Sequence, residues 1–189
     1  MNAYDFDDTI FTPDSSYLFL RYCLRHYPRT VIRIVPSALL QTISFISQGR
    51  KDAKKLKESL FSFLNSVDDI DRIVSDFWTE NFFRIAPWYM KQRQKDDVII
   101  SASPEFLLRP AAERLGVDLI ATRMNPYTGK IAGRNCHDAE KVRRFLEKYH
   151  DVTIECFYSD SVSDTPMAKL AKHAVLVSKN GFSPWPGTD

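Results

Sequence analysis

Polar and apolar positions follow two different periods along this chain, and the change of period divides it. Short apolar runs that end in acids or hydroxyls lie at residues 3–4, 98–101, 117–121, 152–158 and 174–177, the pattern of strands buried on both faces. Between the later runs, residues 104–115, 138–149 and 163–172 place apolar side chains every three or four positions, which predicts helices. Pro126, Thr128 and Gly129 mark the turn of a hairpin over residues 122–133. Strands joined by helices of this length imply an α/β fold, a Rossmann-like and mainly parallel sheet with helices on both faces.

From residue 12 to residue 96 the helical period prevails. Asp14, Ser15 and Ser16 are cap residues for a helix over 17–24, which Pro28 ends. Residues 30–47 are strongly apolar, with Pro36 placed to kink or split a helix and Gly49 to close it. A basic helix over 51–64 carries Leu56, Leu60, Phe61 and Leu64 on one face, and an aromatic-rich helix follows over 70–85. The domain reading is an α/β core of residues 1–11 and 97–189, with an all-α cap of residues 12–96 inserted after the first strand.

A length of 189 residues with 44% hydrophobic content suffices for one such domain with its insertion. The net charge of +2 carries no broad nucleic-acid footprint, and no nucleic-acid partner is expected. Cys23, Cys136 and Cys156 are odd in number and lack metal-ligand spacing, so they read as reduced packing thiols and the cytoplasm as the compartment. Because a strand occupies the very start, no secretory leader is expected.

The chemistry sits where apolar runs stop. Asp5 and Asp7 follow the first run, Ser101 and Ser103 end the second, Lys141 lies near the start of a helix, and Asp160 and Asp164 follow the run at 152–158. Ionised carboxylates are costly to bury without a cation or donors, so paired acids at a strand end ask for a ligand. In open α/β sheets the ligand crevice lies outside the carboxyl ends of the strands, where these groups can converge. Ser103 followed by Pro104 reads as an N-cap and first helical residue, whose free N–H groups would face an anion.

Acids, hydroxyl, lysine and acids in that order resemble the four motifs of the haloacid dehalogenase superfamily, over nearly the whole chain. The inserted helices resemble its subfamily IB, which has a helical cap and includes phosphoserine phosphatase. The resemblance implies an aspartyl-phosphate enzyme with Asp5 as nucleophile and Asp7 as general acid and base. It implies Mg2+ held by the Asp5 and Asp160 carboxylates and the Asp7 carbonyl, with Asp164 behind them. Lys141 would neutralise the phosphoryl group, Ser101 and Ser103 would bind it, and Thr9 would order the loop after the nucleophile. An acid at Asp7 implies an alkoxide leaving group, hence a phosphatase rather than a dehalogenase. Asp8 stands where many relatives carry Gly, and Ser161 and Ser163 where phosphoserine phosphatases show Gly and Asn.

The expected substrate is a small phosphorylated metabolite or a phospholipid headgroup. Residues 19–50 and 158–161 resemble the bacterial phosphatidylglycerophosphatase C group, which acts on such a headgroup. Arg21, Arg25, Arg29 and Arg33 precede the apolar stretch, and Arg50, Lys51, Lys54, Lys55 and Lys57 follow it. Two readings stay open for it: a buried cap helix, or an element in peripheral contact with anionic membrane at the inner face. Interrupted by Arg33, Pro36 and Gln41, it does not read as a membrane span. A phosphotransferase, or a non-catalytic member binding a phosphorylated ligand or partner, is the alternative. His26, His137, His150 and His173 show no ligand spacing and read as structural or surface residues.

Overall fold

A computed structural model of the chain describes residues 1–32 and 53–187. Six strands, β1 (Ala3–Tyr4), β2 (Val98–Pro104), β3 (Asp118–Thr122), β4 (Ile154–Ser159), β5 (Ala171–Ser178) and β6 (Gly181–Pro184), form one sheet in the order β3-β2-β1-β4-β5-β6. All pairings are parallel except β5 with β6, where a turn returns the chain antiparallel at the edge. The chain runs outward one way from β1 to β2 and β3, then crosses to β4 on the other side, so the topological switch lies between β1 and β4.

Successive residues of the central strands enter opposite cores, as the twofold strand period requires. Tyr4, Ile99 and Leu119 join one cluster, while Ala3, Val98, Ile100 and Ile120 join the other. Helix α7 (Ala139–Lys148) and helix α8 (Thr165–Ala168) cover the second face with Phe145, Met167 and Ala168. Helix α6 (Glu105–Leu115) covers the first with Leu107, Leu108, Ala111 and Leu115. The mainly parallel α/β sheet expected from the pattern is the fold observed.

Between β1 and β2 the described chain is helical: α1 (Ser15–His26), α2 (Pro28–Ile32), α3 (Ala53–Leu60), α4 (Ile70–Asn81) and α5 (Pro87–Gln92). Asp14 caps α1 by accepting from the Tyr17 N–H at 2.7 Å, and Pro28, which cannot continue that helix, opens the next. These helices share the core of the first sheet face. Phe19, Phe61, Phe77 and Trp78 pack in one cluster with Phe6, Phe11, Ile99 and Leu107, and the Trp78 indole N–H donates to the Leu107 carbonyl at 2.6 Å. Each such aromatic contributes about 2 kcal/mol of burial, so these described helices share one core with the sheet.

Several boundaries move, for local reasons. The helix expected over 51–64 gives way after Leu60 to a 3-10 turn, Ser62–Ser66, where the Ser62 hydroxyl donates to the Ser59 carbonyl at 2.8 Å. The helix expected over 70–85 stops at Asn81, whose amide donates to the Phe77 carbonyl at 2.8 Å. The helix expected over 163–172 shortens because β5 pairs Ala171 with Ile154 and draws the later residues into the sheet. Helix α5 was not legible in the period, although Pro87 occupies its first turn. The apolar stretch after Ile32, with Arg33, Pro36, Gln41, Gly49, Arg50 and Lys51, lies outside the described residues. Among the described residues no helix is long and apolar enough to cross a membrane.

Candidate active site

Asp5 is the first residue after β1 and Asp160 the first after β4. The Asp5 N–H donates to the Tyr158 carbonyl at 2.8 Å, which holds the two strand ends together at the switch point. The chain then turns tightly, with the N–H groups of Ile10 and Phe11 both 3.0 Å from the Phe6 carbonyl. Asp8 sits at φ 53°, the left-handed region that Asp tolerates in place of Gly. This turn aims Asp7 back over the end of β2.

The expected residues meet. A cavity of about 190 Å3 is lined by Asp5, Asp7, Ser101, Ser103, Lys141, Asp160 and Asp164. A larger hollow of about 500 Å3 lies against β3 beside Arg109 and Arg123 and contains none of these acids, so chemistry rather than volume marks the site. Thr9 is outside the cavity wall; its hydroxyl accepts from the Asp160 N–H at 2.9 Å and donates to Asp160 Oδ1 at 3.3 Å. It fixes an acid rather than facing a ligand.

Lys141 donates to Asp5 Oδ1 and to Asp164 Oδ2, both at 2.7 Å, and all three side chains are withdrawn from water. Asp164 Oδ2 also accepts from the Ser159 hydroxyl at 2.8 Å. Asp164 therefore does not cap a helix with its side chain. Its other oxygen, Oδ1, is buried without a hydrogen-bond partner.

Asp7 is held from two sides. Its Oδ2 accepts from the Ser103 hydroxyl at 2.5 Å and its Oδ1 from the Ser15 N–H at 2.6 Å. Ser103 in turn accepts from the Ser15 hydroxyl at 3.1 Å. The expectation that Ser103 caps the following helix is corrected: β2 continues to Pro104, which is itself the N-cap, and no side chain caps α6. The Ser103 hydroxyl is engaged by Asp7 instead. Ser101 Oγ accepts from the Ser103 N–H at 3.0 Å, which shapes the turn between them.

Burial pushes the Asp5 carboxyl up, and the Asp164 charge adds to this against the pull of Lys141; the result is a group held near 7. Burial, then the neighbouring Asp14, raises Asp7 to about 6. Asp160 is raised by burial as well. On Lys141 burial works against the ammonium but the Asp5 and Asp164 carboxylates outweigh it, so its proton is held more tightly than usual. Lys57 is shifted the other way, down, by burial.

An excess of acids that resist ionisation is a site short of positive charge. The acids and hydroxyls on its wall offer oxygen donors, which suit a hard divalent cation, and the orphaned Asp164 Oδ1 is a buried acceptor still to be satisfied. Among the described residues no three His, Cys, Asp or Glu side chains are grouped to hold a metal by themselves. The expected set has two carboxylates and one main-chain carbonyl, so it does not need such a trio.

Asp14, Lys57 and His137 also line the cavity without having been singled out from sequence for the site, and Ser15, outside its wall, was likewise not expected to hold Asp7. His137 Nε2 lies 3.4 Å from the Ser163 hydroxyl at the rim. For Lys57 a signal existed. It precedes Leu60 and Phe61 by three and four positions and so shares their inward face.

A doubly wound sheet with acids, hydroxyls and a lysine gathered at its switch point defines the class: an α/β protein built to bind its ligand at the carboxyl ends of its strands. Residues 3–169 match the family described as haloacid dehalogenase-like hydrolase, and the chain belongs to that family. It is similar to protein CicA of Caulobacter vibrioides, 30% identical over 184 residues covering 89% of this chain and 82% of that one. Among solved structures it is similar to a protein of unknown function from Bordetella pertussis Tohama I, with a TM-score of 0.75 at 21% identity, covering 99% of this chain and 91% of that one. A phosphoserine phosphohydrolase-like protein from Francisella tularensis follows at TM-score 0.56 and 17% identity, covering 93% and 87%. At those identities the two structures speak to the fold alone.

Proposed function

We propose that the protein is a phosphomonoester hydrolase that forms an aspartyl-phosphate on Asp5 and requires Mg2+, working in the cytoplasm on a small phosphorylated metabolite or a phospholipid headgroup. The observation that carries this reading is the placement of Asp5 against Lys141 in one cavity with Asp7, itself fixed by Ser15 and Ser103. Asp5 Oδ1 is held by Lys141, which leaves Oδ2 as the oxygen free to attack. That free oxygen attacks phosphorus in line, and the bond to the alcohol oxygen breaks. Asp7, whose burial favours the protonated form, gives its proton to the departing alkoxide. Asp7 then takes a proton from the water that attacks phosphorus, which releases inorganic phosphate and restores Asp5.

Lys141 screens the negative charge that builds on the phosphoryl oxygens, and Ser101 orients them. Asp5, Asp160 and the Asp7 carbonyl would hold Mg2+, which supplies charge neutralisation when bound. The helical insertion serves as the cap of subfamily IB and selects the leaving group. The name carried by the Francisella neighbour agrees with phosphomonoester chemistry.

Replacing Asp5 by Asn removes the attacking oxygen. Phenyl phosphate hydrolysis in the presence of Mg2+ is expected to fall to background with the circular dichroism spectrum unchanged; parental turnover by the variant overturns the covalent route.

A further inference from the structure

We infer that Ser16, from the first turn of the inserted helix α1, is a positioning residue for proton transfer: it completes a hydroxyl switch, running from Ser16 through Ser103 to Asp7, that serves the acid both before and after it gives up its proton. The inference rests on the phosphatase reading above and deepens it. Ser103 Oγ lies 2.5 Å from Asp7 Oδ2, 3.1 Å from Ser15 Oγ and 3.0 Å from Ser16 Oγ. A hydroxyl has one proton and two lone pairs, so these contacts use its whole capacity. Ser15 and Ser103 are closed to water, and Ser16 is partly buried. The usual task of a serine at a helix start is to cap it, but Asp14 already does so by accepting from the Tyr17 N–H. Both serine side chains of α1 turn to Ser103 instead.

The two oxygens of Asp7 are not equivalent. Oδ1 accepts from the Ser15 N–H at 2.6 Å, a donor that cannot reverse, so the proton that Asp7 delivers belongs on Oδ2. The partner there is a hydroxyl, which can reverse. In the resting site the Oδ2 proton points to Ser103, and the Ser103 proton points to Ser16. When substrate binds, the Oδ2 proton swings to the leaving oxygen and passes to it as the bond to phosphorus breaks. Ser103 then turns to donate to the new carboxylate, and Ser16 donates to Ser103. Ser15 donates to Ser103 in both states, and no heavy atom has to move. The contact between Ser16 and Ser103 is one in which either oxygen can be the donor, as this exchange demands. Without Ser16 the Ser103 proton can turn only to Ser15, whose own proton then gives up its acceptor in a place closed to water, and that is costly.

The test measures kcat/KM, which reads the steps up to phosphoryl transfer, for parent, Ser16→Ala, Ser16→Thr and Asp7→Asn on phenyl phosphate and dinitrophenyl phosphate with Mg2+ present. Phenolate leaves poorly without a proton and dinitrophenolate leaves without one, so only the first ester depends on the acid. Ser16→Ala is expected to lose about 3- to 10-fold on phenyl phosphate, the worth of one hydrogen bond, and to stay within about 2-fold of the parent on the dinitrophenyl ester. Ser16→Thr, which keeps the hydroxyl, should stay within about 2-fold of the parent on both. Asp7→Asn should show the same selectivity with a larger loss. Equal losses of Ser16→Ala on the two esters, no loss on either, or a Ser16→Thr as slow as Ser16→Ala on phenyl phosphate overturns the switch, while turnover by the parent leaves the phosphatase reading standing. An Asp7→Asn variant that loses equally on both esters removes the acid and the switch with it. A parent inactive on both esters removes the phosphatase reading and this inference together.

Discussion

Lys141 Nζ lies 2.7 Å from Asp5 Oδ1, across 136 positions of sequence. The contact joins the first strand to the helix before β4, and it makes the site a stability element as well as a chemical one. Its removal tests both.

Lys141→Met leaves Asp5 and Asp164 buried without their cation, and breaking a buried pair from one side costs about 3–5 kcal/mol. The melting temperature of the metal-free variant should drop most at pH 8. The loss should shrink toward pH 5, because Asp5, raised to about 7 even beside Lys141, takes up a proton there. A pH-independent loss contradicts the assignment.

Ser103 donates to the Asp7 carboxylate and so favours its charged form, against the burial that raises it to about 6. Ser103→Ala removes the donor and raises Asp7 further. If Asp7 is the acid, the alkaline limb of kcat/KM moves to higher pH in the variant; a limb that stays put or moves to lower pH excludes Asp7 from that role.

Gly129 stands at φ +68°, and a Cβ there would come within 2.4 Å of the Phe61 carbonyl oxygen. The hairpin, with the Asn125 N–H on the Lys130 carbonyl at 2.8 Å, presses against the inserted helices at this point. Gly129→Ala should cost about 2 kcal/mol or more from backbone strain and clash, a fall in Tm on the order of 4–8 °C. A variant melting with the parent would show that the contact is not tight.

Glu140 is drawn down to about 2 by hydrogen bonds from Arg143 and Arg144, although its burial opposes this. A carboxyl depressed in the folded state contributes stability above its ordinary value of 4.5, and that contribution is lost as pH falls from there toward 2. Urea unfolding should therefore find Glu140→Gln weaker than the parent at pH 7, with the gap closing toward pH 2.5. A gap that is constant with pH would assign the loss to packing.

The strands and the acids at their ends were legible because each is a local event: an apolar run, then polar groups that cannot follow it into a core. Asp5, Asp7, Ser101, Lys141, Asp160 and Asp164 could be named on that basis with the motif order, and the cavity contains all six. Ser103 was readable as a residue of the site but misread as a cap, since hydrogen-bond competition by Asp7 comes from 96 positions away. The ends of the helices after Leu60 and Asn81 were equally hidden, because Ser62 and Asn81 side chains reach carbonyls that periodicity does not weigh.

Sequence alone determined the α/β class and the order of the chemical groups, because hydrophobic period and strand-end polarity are properties of neighbouring residues. Tertiary structure decided which groups touch: Lys141 between two carboxylates, Ser15 and Ser103 on Asp7, Lys57 against Ala102 and Asn135. Charge balance in a cavity depends on distances between segments far apart in the chain, and burial sets the proton affinity of each acid. Those two quantities exist only once the strands have paired and the inserted helices have packed against them.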